Sequence, residues 1–294
     1  SDDVELVDFE LSEFTNIARL IQNEQPDEVY NLAAQSFVGT SWEQPLTTTD
    51  VNANGVLRLL EAIRTFSPET RFYQASTSEM FGAIEAPQRE TTPFYPRSPY
   101  GVSKLFAHWI TKNYRESFDL KASSGILFNH ESPLRGREFV TRKISLAMSR
   151  IALGEQDVLE LGNLGAQRDW GFAGDYVEGM WRIINAEPQD DYVLATGETH
   201  TIREFAELAG EQLGMALAWE GEGIDEKGID TKTGKTIVQV NPRFFRPAEV
   251  DLLLGDASRA QKELGWQRKV SFPGLVEMMV REDYNLLKAG RLNH

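Results

Sequence analysis

Tyr100 and Lys104 stand four residues apart in Pro99-Tyr100-Gly101-Val102-Ser103-Lys104, a spacing that puts both on one face of a helix. A free phenol, with a pKa of about 10, is a poor base near neutrality. A neighbouring ammonium stabilises the phenolate and brings the tyrosine into range as a general base. The spacing by itself is common: Tyr284 and Lys288 repeat it near the end of the chain with no chemistry beside them. The first pair differs in what precedes it. Ala75-Ser76-Thr77-Ser78-Glu79 brings hydroxyls and a carboxylate to the end of an apolar run, supplying hydrogen-bond donors and a second candidate base.

The elements that must position these groups alternate in type. Val4–Val7 reads as a short extended segment. A helical stripe follows over Ser12–Gln25, with Ser12 as candidate cap. Pro26-Asp27 breaks it, and Glu28–Ala34 reads as a buried strand. A second helix is predicted over about Thr49–Thr65, a strand over Arg71–Ser76, a helix over Pro99–Ser117 and an extended run over Lys121–Asn129. Strands alternating with helices of this length require right-handed crossovers and predict an α/β fold built on a doubly wound parallel sheet. Such sheets bind ligands beyond the carboxyl ends of their strands. Two of those ends are chemically loaded here, Ala33-Ala34-Gln35-Ser36 and Ser76–Glu79. After Ser132 the alternation weakens, returning at Asp175–Asn185 and Tyr192–Thr196. The Gly-rich run Glu220–Lys235 reads as an exposed loop or hairpin.

Composition narrows the partners. The chain has 294 residues, 45 acidic against 30 basic, a net charge of −15 and no cysteine. Disulfides, thiolate metal sites and cysteine nucleophiles are excluded in this stretch, and four scattered histidines make no metal site. No global positive field is present to attract nucleic acid or an anionic membrane. No apolar run approaches the roughly 20 residues that cross a bilayer, and the start of the chain lacks the basic and apolar regions of a signal peptide. A cytoplasmic protein is the expectation. A local anion site needs only a few cations, and Arg135, Arg137, Arg142 and Lys143 fall in one short segment. No Gly-x-Gly-x-x-Gly, Gly-x-Ser-x-Gly or His-Glu-x-x-His occurs, and Lys232-Thr233-Gly234 lacks a Ser-x-x-Lys partner.

Longer motifs carry a resemblance. Ala75-Ser76-Thr77-Ser78-Glu79-Met80-Phe81-Gly82 and Pro93-Phe94-Tyr95-Pro96-Arg97-Ser98-Pro99-Tyr100 resemble the extended short-chain dehydrogenase/reductase superfamily and, within it, the GDP-mannose 4,6-dehydratases. Gly125–Pro133, Phe139–Ile144, Arg168-Asp169-Trp170-Gly171 and Phe245–Val250 look like that family as well, so the resemblance covers nearly the whole chain. It implies a Rossmann-type NADP-binding domain over residues 1–132 and 168–198, and a smaller mixed substrate-binding domain over 133–167 and 199–294. Family members open with a glycine-rich strand–turn–helix that this sequence does not contain, so the resemblance also implies a longer polypeptide.

The implied reaction converts GDP-mannose to GDP-4-keto-6-deoxy-mannose. Tyr100, assisted by Lys104, takes the 4-hydroxyl proton as hydride leaves C4 for the nicotinamide. Glu79 then removes the acidified C5 proton and assists loss of the 6-hydroxyl as water, before hydride returns to C6. Thr77 would hydrogen-bond O4. Similar sugar epimerases carry a small residue in place of Glu79, and glucose-nucleotide dehydratases carry Asp-Glu where Ser78-Glu79 stands here. Cofactor contacts implied by position are Asp8, Phe9, Leu32, Ala33, Ala34, Gln35, Ser36, Thr47, Lys104, His130 and Arg135. Thr47 replaces a tyrosine and Leu134 an arginine common in relatives. Implied substrate contacts are Asn129, Val140, Lys143, Leu161, Gly162, Asn163, Arg168, Arg246 and Glu249; arginine forks and a lysine suit a diphosphate. Relatives assemble as homodimers or homotetramers. Two alternatives stand beside this reading: another nucleotide-sugar short-chain enzyme, or a non-catalytic sugar-nucleotide-binding protein.

Overall fold

Apolar runs and helical stripes become elements much as their periodicity requires in the computed structural model, which describes residues 4–244 and 252–292. In chain order, α1 (Phe14–Glu24), β1 (Glu28–Asn31), α2 (Val38–Glu43), α3 (Pro45–Thr49), α4 (Gly55–Phe66), β2 (Arg71–Thr77), α5 (Pro99–Phe118) and β3 (Ala122–Leu127) come first. Next are β4 (Asn129–Glu131), α6 (Val140–Leu153), β5 (Leu159–Leu161), β6 (Gln167–Arg168), β7 (Trp170–Phe172), α7 (Ala173–Ile184), β8 (Tyr192–Leu194), β9 (His200–Thr201) and α8 (Ile202–Gln212). Last are β10 (Leu217–Glu220), β11 (Lys227–Asp230), β12 (Thr236–Val240), β13 (Leu252–Leu253), α9 (Ser258–Leu264) and α10 (Phe272–Lys288). The chain divides into two units, residues 1–127, 177–194 and 256–266, and residues 128–176, 195–255 and 267–294.

The first unit holds a parallel sheet in the order β1-β2-β3-β8. All of β3, and all of β2 after Arg71, are buried, as expected where both faces of a parallel sheet are covered. Ile17 and Ile21 of α1 meet Val56, Leu59, Leu60 and Ile63 of α4 in a core that includes Phe72 and Ala122 of the sheet. This is the α/β parallel sheet the alternation predicts, in the Rossmann-type form the family resemblance implies.

Local details depart from expectation. Val4–Val7 joins no strand, and Leu6 is 93% exposed, because a strand needs a hydrogen-bonded neighbour and the segment has none among the described residues. Ser12 does not cap α1. Its hydroxyl donates to Glu10, while the Glu13 carboxylate accepts from Thr15 N at 3.2 Å. The strand read as Glu28–Ala34 ends at Asn31, since Gln35 is drawn to a side chain of the next helical run. That run is continuous from Pro45 to Phe66 but contains a wider π turn over Asp50–Asn54, a distortion that often presents a functional side chain.

The second unit packs α6, α8 and α10 around Ile144, Met148, Phe205, Ala209, Val276 and Met279. A mixed sheet runs β10-β11-β12-β5, with β12 parallel to β5; the run Glu220–Lys235 carries strand β11, antiparallel to β10 on one side and to β12 on the other. Thr201 and Glu204 form a reciprocal capping box on α8. Arg142 is buried and paired to Asp283 at 2.7 Å, so it locks α6 to α10. Its expected place in an anion-binding cluster is therefore corrected: the guanidinium faces the core. Arg246 and Glu249, with the rest of the Phe245–Val250 motif, lie outside the described residues.

In the first unit Arg115 on α5 makes two bonds to Asp191, at 3.0 and 2.9 Å, and Asp191 also accepts from Ser124 N on β3. Their side chains are only 12% and 9% exposed. Asp191→Ala leaves that guanidinium enclosed with only Asp190, 3.6 Å away, to offset it. A loss of about 3 kcal/mol is expected, at the lower end for a broken buried pair, read from the denaturant midpoint. An unchanged midpoint would show that the pair adds nothing net.

Candidate active site

In the first unit the start of α5 is set by its cap. The Ser98 hydroxyl accepts from Gly101 N at 3.0 Å and Pro99 occupies the first turn, where a missing N–H costs nothing. Tyr100 thus falls in that first turn. Gly101 lets the turn approach the segment carrying Glu79, because a Cβ there would lie 2.9 Å from the Glu79 carbonyl oxygen. Glu79 sits in a 3-10 turn, Ser78–Met80, that leaves the end of β2, and the Thr77 hydroxyl caps it by accepting from Glu79 N at 3.3 Å. Thr77, Tyr100 and Lys104 are buried and Glu79 is half-buried. The four predicted catalytic residues are gathered at the carboxyl end of β2.

Lys104 is the most constrained of them. Its ammonium donates to the Ala75 carbonyl at 2.7 Å, and burial alone pulls it down to about 8. The same carbonyl accepts from Gln74 Nε2 at 3.0 Å, and Asn31 Nδ2 donates to Gln74 Oε1 at 2.8 Å. No other acceptor is bonded to the ammonium among the described residues. It therefore retains donors for a hydroxyl-bearing ligand and for the phenol one helical turn away. Tyr284 and Lys288 make the contrast: there the lysine is exposed and only rests over the tyrosine ring at 5.8 Å.

Residues 32–36 follow β1 as an irregular segment, with Leu32, Ala33 and Ser36 exposed. Asn52, from the π turn, holds this segment. It accepts from Gln35 N at 2.8 Å, donates to Gln35 O at 3.0 Å, and donates to Ser103 Oγ at 3.2 Å. Ser103 in turn donates to Tyr100 O. The predicted cofactor segment and the Tyr100–Lys104 helix are thus latched through a residue that sequence reasoning missed. A buried asparagine inside the apolar stripe Val51–Val56 was the available signal. His108, one turn beyond Lys104, was also missed; its Nδ1 lies 3.1 Å from Ser76 Oγ, and burial pushes the imidazole down. Asp8, Phe9 and Thr47 are exposed, and no side-chain bond ties them to this cluster among the described residues.

The remaining predicted residues belong to the second unit. His130 donates from Nδ1 to Phe128 O at 2.9 Å and stacks on Tyr176, and burial pulls it down to about 4, so it is neutral. Arg135 lies 3.1 Å from buried Glu131 and 3.5 Å above the Phe139 ring. Asn163 is engaged locally by Gly165 N, and Arg168 donates to Gln167 O. Asn129 begins β4 opposite Trp170. Val140 opens α6, and Lys143 one turn later rests over the Phe244 ring at 3.8 Å. Gly162 allows that arrangement, since a Cβ would meet Phe244 O at 2.3 Å, and Leu161 O accepts from Asn241 N. Lys143, Arg150, Glu160 and Phe244 line a cleft of about 550 Å³.

Comparison with known proteins identifies the family. The family model described as GDP-mannose 4,6 dehydratase matches residues 1–279. The chain is 56% identical over 285 residues to a GDP-mannose 4,6-dehydratase of Sinorhizobium fredii, covering 96% of this chain and 81% of that one. It is 50% identical over 287 residues to one of Vibrio cholerae, covering 93% and 77%. Among solved structures, RMD from Pseudomonas aeruginosa complexed with NADPH superposes with a TM-score of 0.82 at 22% identity, covering 95% and 88%. Thermus thermophilus UDP-glucose 4-epimerase in complex with NAD gives 0.77 at 26%, covering 94% and 83%. The structural likenesses speak to the fold, whereas the identities and the family match extend to the motifs that build the β2–α5 cluster: the chain belongs to the GDP-mannose 4,6-dehydratase family.

Proposed function

We propose that this chain converts GDP-mannose to GDP-4-keto-6-deoxy-mannose with NADP as its dinucleotide. The observation that carries this reading is the placement of Tyr100 and Lys104 directly against the Thr77–Glu79 turn. A reductase-type pair alone serves many reactions; a carboxylate beside it serves elimination. The residues present fit a dinucleotide. Lys104 has spare buried donors for ribose hydroxyls, and the exposed backbone of Leu32–Ser36, low in side-chain bulk at Ala33 and Ala34, is held open by Asn52. Asp8, Phe9 and Thr47, with His130 and Arg135, complete the proposed contacts. The bound dinucleotide supplies the hydride acceptor and donor.

The chain's own groups do the proton chemistry. Lys104 holds a positive charge one turn from Tyr100 and favours its phenolate, which takes the proton of the sugar 4-hydroxyl. Thr77 donates a hydrogen bond to O4. Once C4 is a carbonyl, the C5 proton is acidified, and the Glu79 carboxylate removes it and passes a proton to the departing 6-hydroxyl. For the nucleotide sugar we propose Asn129, Val140, Lys143, Leu161, Gly162, Asn163 and Arg168, with Arg246 and Glu249 from the undescribed segment. Val102, Phe106 and Trp109 are 55%, 42% and 50% exposed along one stripe of α5, which supports a homodimer or homotetramer. We place the protein in the cytoplasm; no described helix is long and apolar enough to cross a membrane.

Glu79→Gln is expected to lower product formation by about 10²- to 10⁴-fold, the usual contribution of a positioned acid–base group. NADP(H) binding, followed by nicotinamide fluorescence, should be retained. Undiminished turnover would remove Glu79 from the mechanism.

The ammonium must stay protonated to support the phenolate, and burial holds it at about 8. Because the protonated form is lost as pH rises through that value, kcat/KM should decline above about pH 8. A profile flat to pH 10 would show that the charge survives and that burial does not govern it.

A further inference from the structure

Glu79 leaves β2 on a turn of only three residues, Ser78–Met80, yet an acid–base group must be held within about 0.5 Å of its working position. In the first unit one buried side chain, His108 of α5, is tied to the segment on both sides of that turn. Before the turn, the Ser76 hydroxyl meets His108 Nδ1 at 3.1 Å, and both side chains are buried. After it, Phe81 packs on Phe94 with ring centroids 5.1 Å apart, and Phe94 meets the His108 ring edge-on at 5.3 Å. The Phe94 segment is itself fastened to the turn, because Tyr95 N donates to Met80 O at 3.0 Å. The other imidazole nitrogen, Nε2, lies 4.0 Å from Asp191 Oδ2, and Asp191 is fixed in turn by Arg115 and Ser124 N. That carboxylate favours a proton on Nε2, which leaves Nδ1 to accept from the Ser76 hydroxyl. Burial pushes the imidazole down, so near neutrality it is uncharged and keeps that lone pair.

We propose that His108 is the positioning residue for Glu79, an inference that rests on the dehydratase reading above. Tyr100, Lys104 and His108 stand on successive turns of α5, and the two latches of that helix to β2 serve different steps. Lys104, bonded to Ala75 O, holds the helix against β2 where Tyr100 takes the 4-hydroxyl proton. His108 grips Ser76 and, through Phe94, Phe81, so it brackets the turn that carries the carboxylate. Loss of the second latch leaves oxidation at C4 to Tyr100 and Lys104 but lets Glu79 drift from the C5 proton. The oxidised sugar and the reduced dinucleotide then wait for elimination. A phenylalanine fills the imidazole's space but offers Ser76 no acceptor, whereas an asparagine can set an amide oxygen close to the place of Nδ1.

The test mixes the full chain and NADP with GDP-mannose and follows reduced dinucleotide by its near-ultraviolet absorbance, alongside product formation. In His108→Phe the absorbance should rise at the wild-type rate and then persist. Its decay and the appearance of product should slow by about ten- to a hundredfold, the cost of a catalytic group displaced by roughly 1 Å. His108→Asn should bring the decay back toward the wild-type rate. Ser76→Ala removes the same hydrogen bond from the β2 side and should reproduce the slow decay; it carries the test if the melting temperature shows His108→Phe unfolded. In a Glu79→Gln background, His108→Phe should cost less than about twofold more, because the group it positions is already gone. Equal slowing of rise and decay, an unslowed decay in a folded variant, or a full additional loss in the Glu79→Gln background overturns the proposal. A wild type that does not convert GDP-mannose removes the dehydratase reading and this proposal with it, whereas wild-type conversion that folded His108→Phe leaves untouched removes this proposal alone.

Discussion

A buried ammonium organises the first unit. Lys104 has no carboxylate partner among the described residues, and a cation in a protein interior is tolerated only where hydrogen bonds replace water. The Ala75 carbonyl provides that bond, and Asn31 and Gln74 complete a polar line across β1 and β2 to the same oxygen. Holding Lys104 there fixes α5 over the end of β2. Tyr100, Thr77 and Glu79 are then neighbours by construction, and desolvation keeps the lysine proton close to the pH range in which it is used. The Asn52 latch extends the same logic to residues 32–36, because one amide bonds the Gln35 backbone on one side and Ser103 on the other.

The second unit resolves an apparent conflict between an acidic chain and anionic ligands. Several of its cations are already matched: Arg142 with Asp283, Arg135 with Glu131, Arg203 with Glu226 and Arg268 with Glu198. Several of these pairs are enclosed, where they contribute orientation more than net stability. Three cations line the cleft, Arg137, Lys143 and Arg150, and charges gathered on one concave surface count locally for more than the global balance of −15 suggests.

Local periodicity was sufficient for the parallel sheet, for α5, and for a reactive pair at its start, since each depends on residues close in the chain. The 20-residue amphipathic run after Ser98-Pro99 could be little else than a capped helix. The motifs around Glu79 and Tyr100 likewise determined the chemistry, because cap, glycine and reactive groups lie within one short stretch. Val4–Val7 shows the limit. Its sequence is compatible with a strand, yet whether it becomes one depends on a neighbour, and none is paired to it here.

Tertiary structure alone decided which charges are free and which polar residues are interior. Arg142 and Lys143 are adjacent in sequence, yet one faces Asp283 in the core and the other faces Phe244 in a cleft, because successive helical positions point about 100° apart. Asn52 is unremarkable in its helix until the π turn aims it at Gln35 and Ser103. The Glu160 carboxylate acquires its donors from Gln239 in β12 and Asn241 just beyond it, some 80 residues later. Chemistry written in contiguous residues could be read from the chain; burial, pairing and ionisation could not, because they belong to contacts between segments far apart in it.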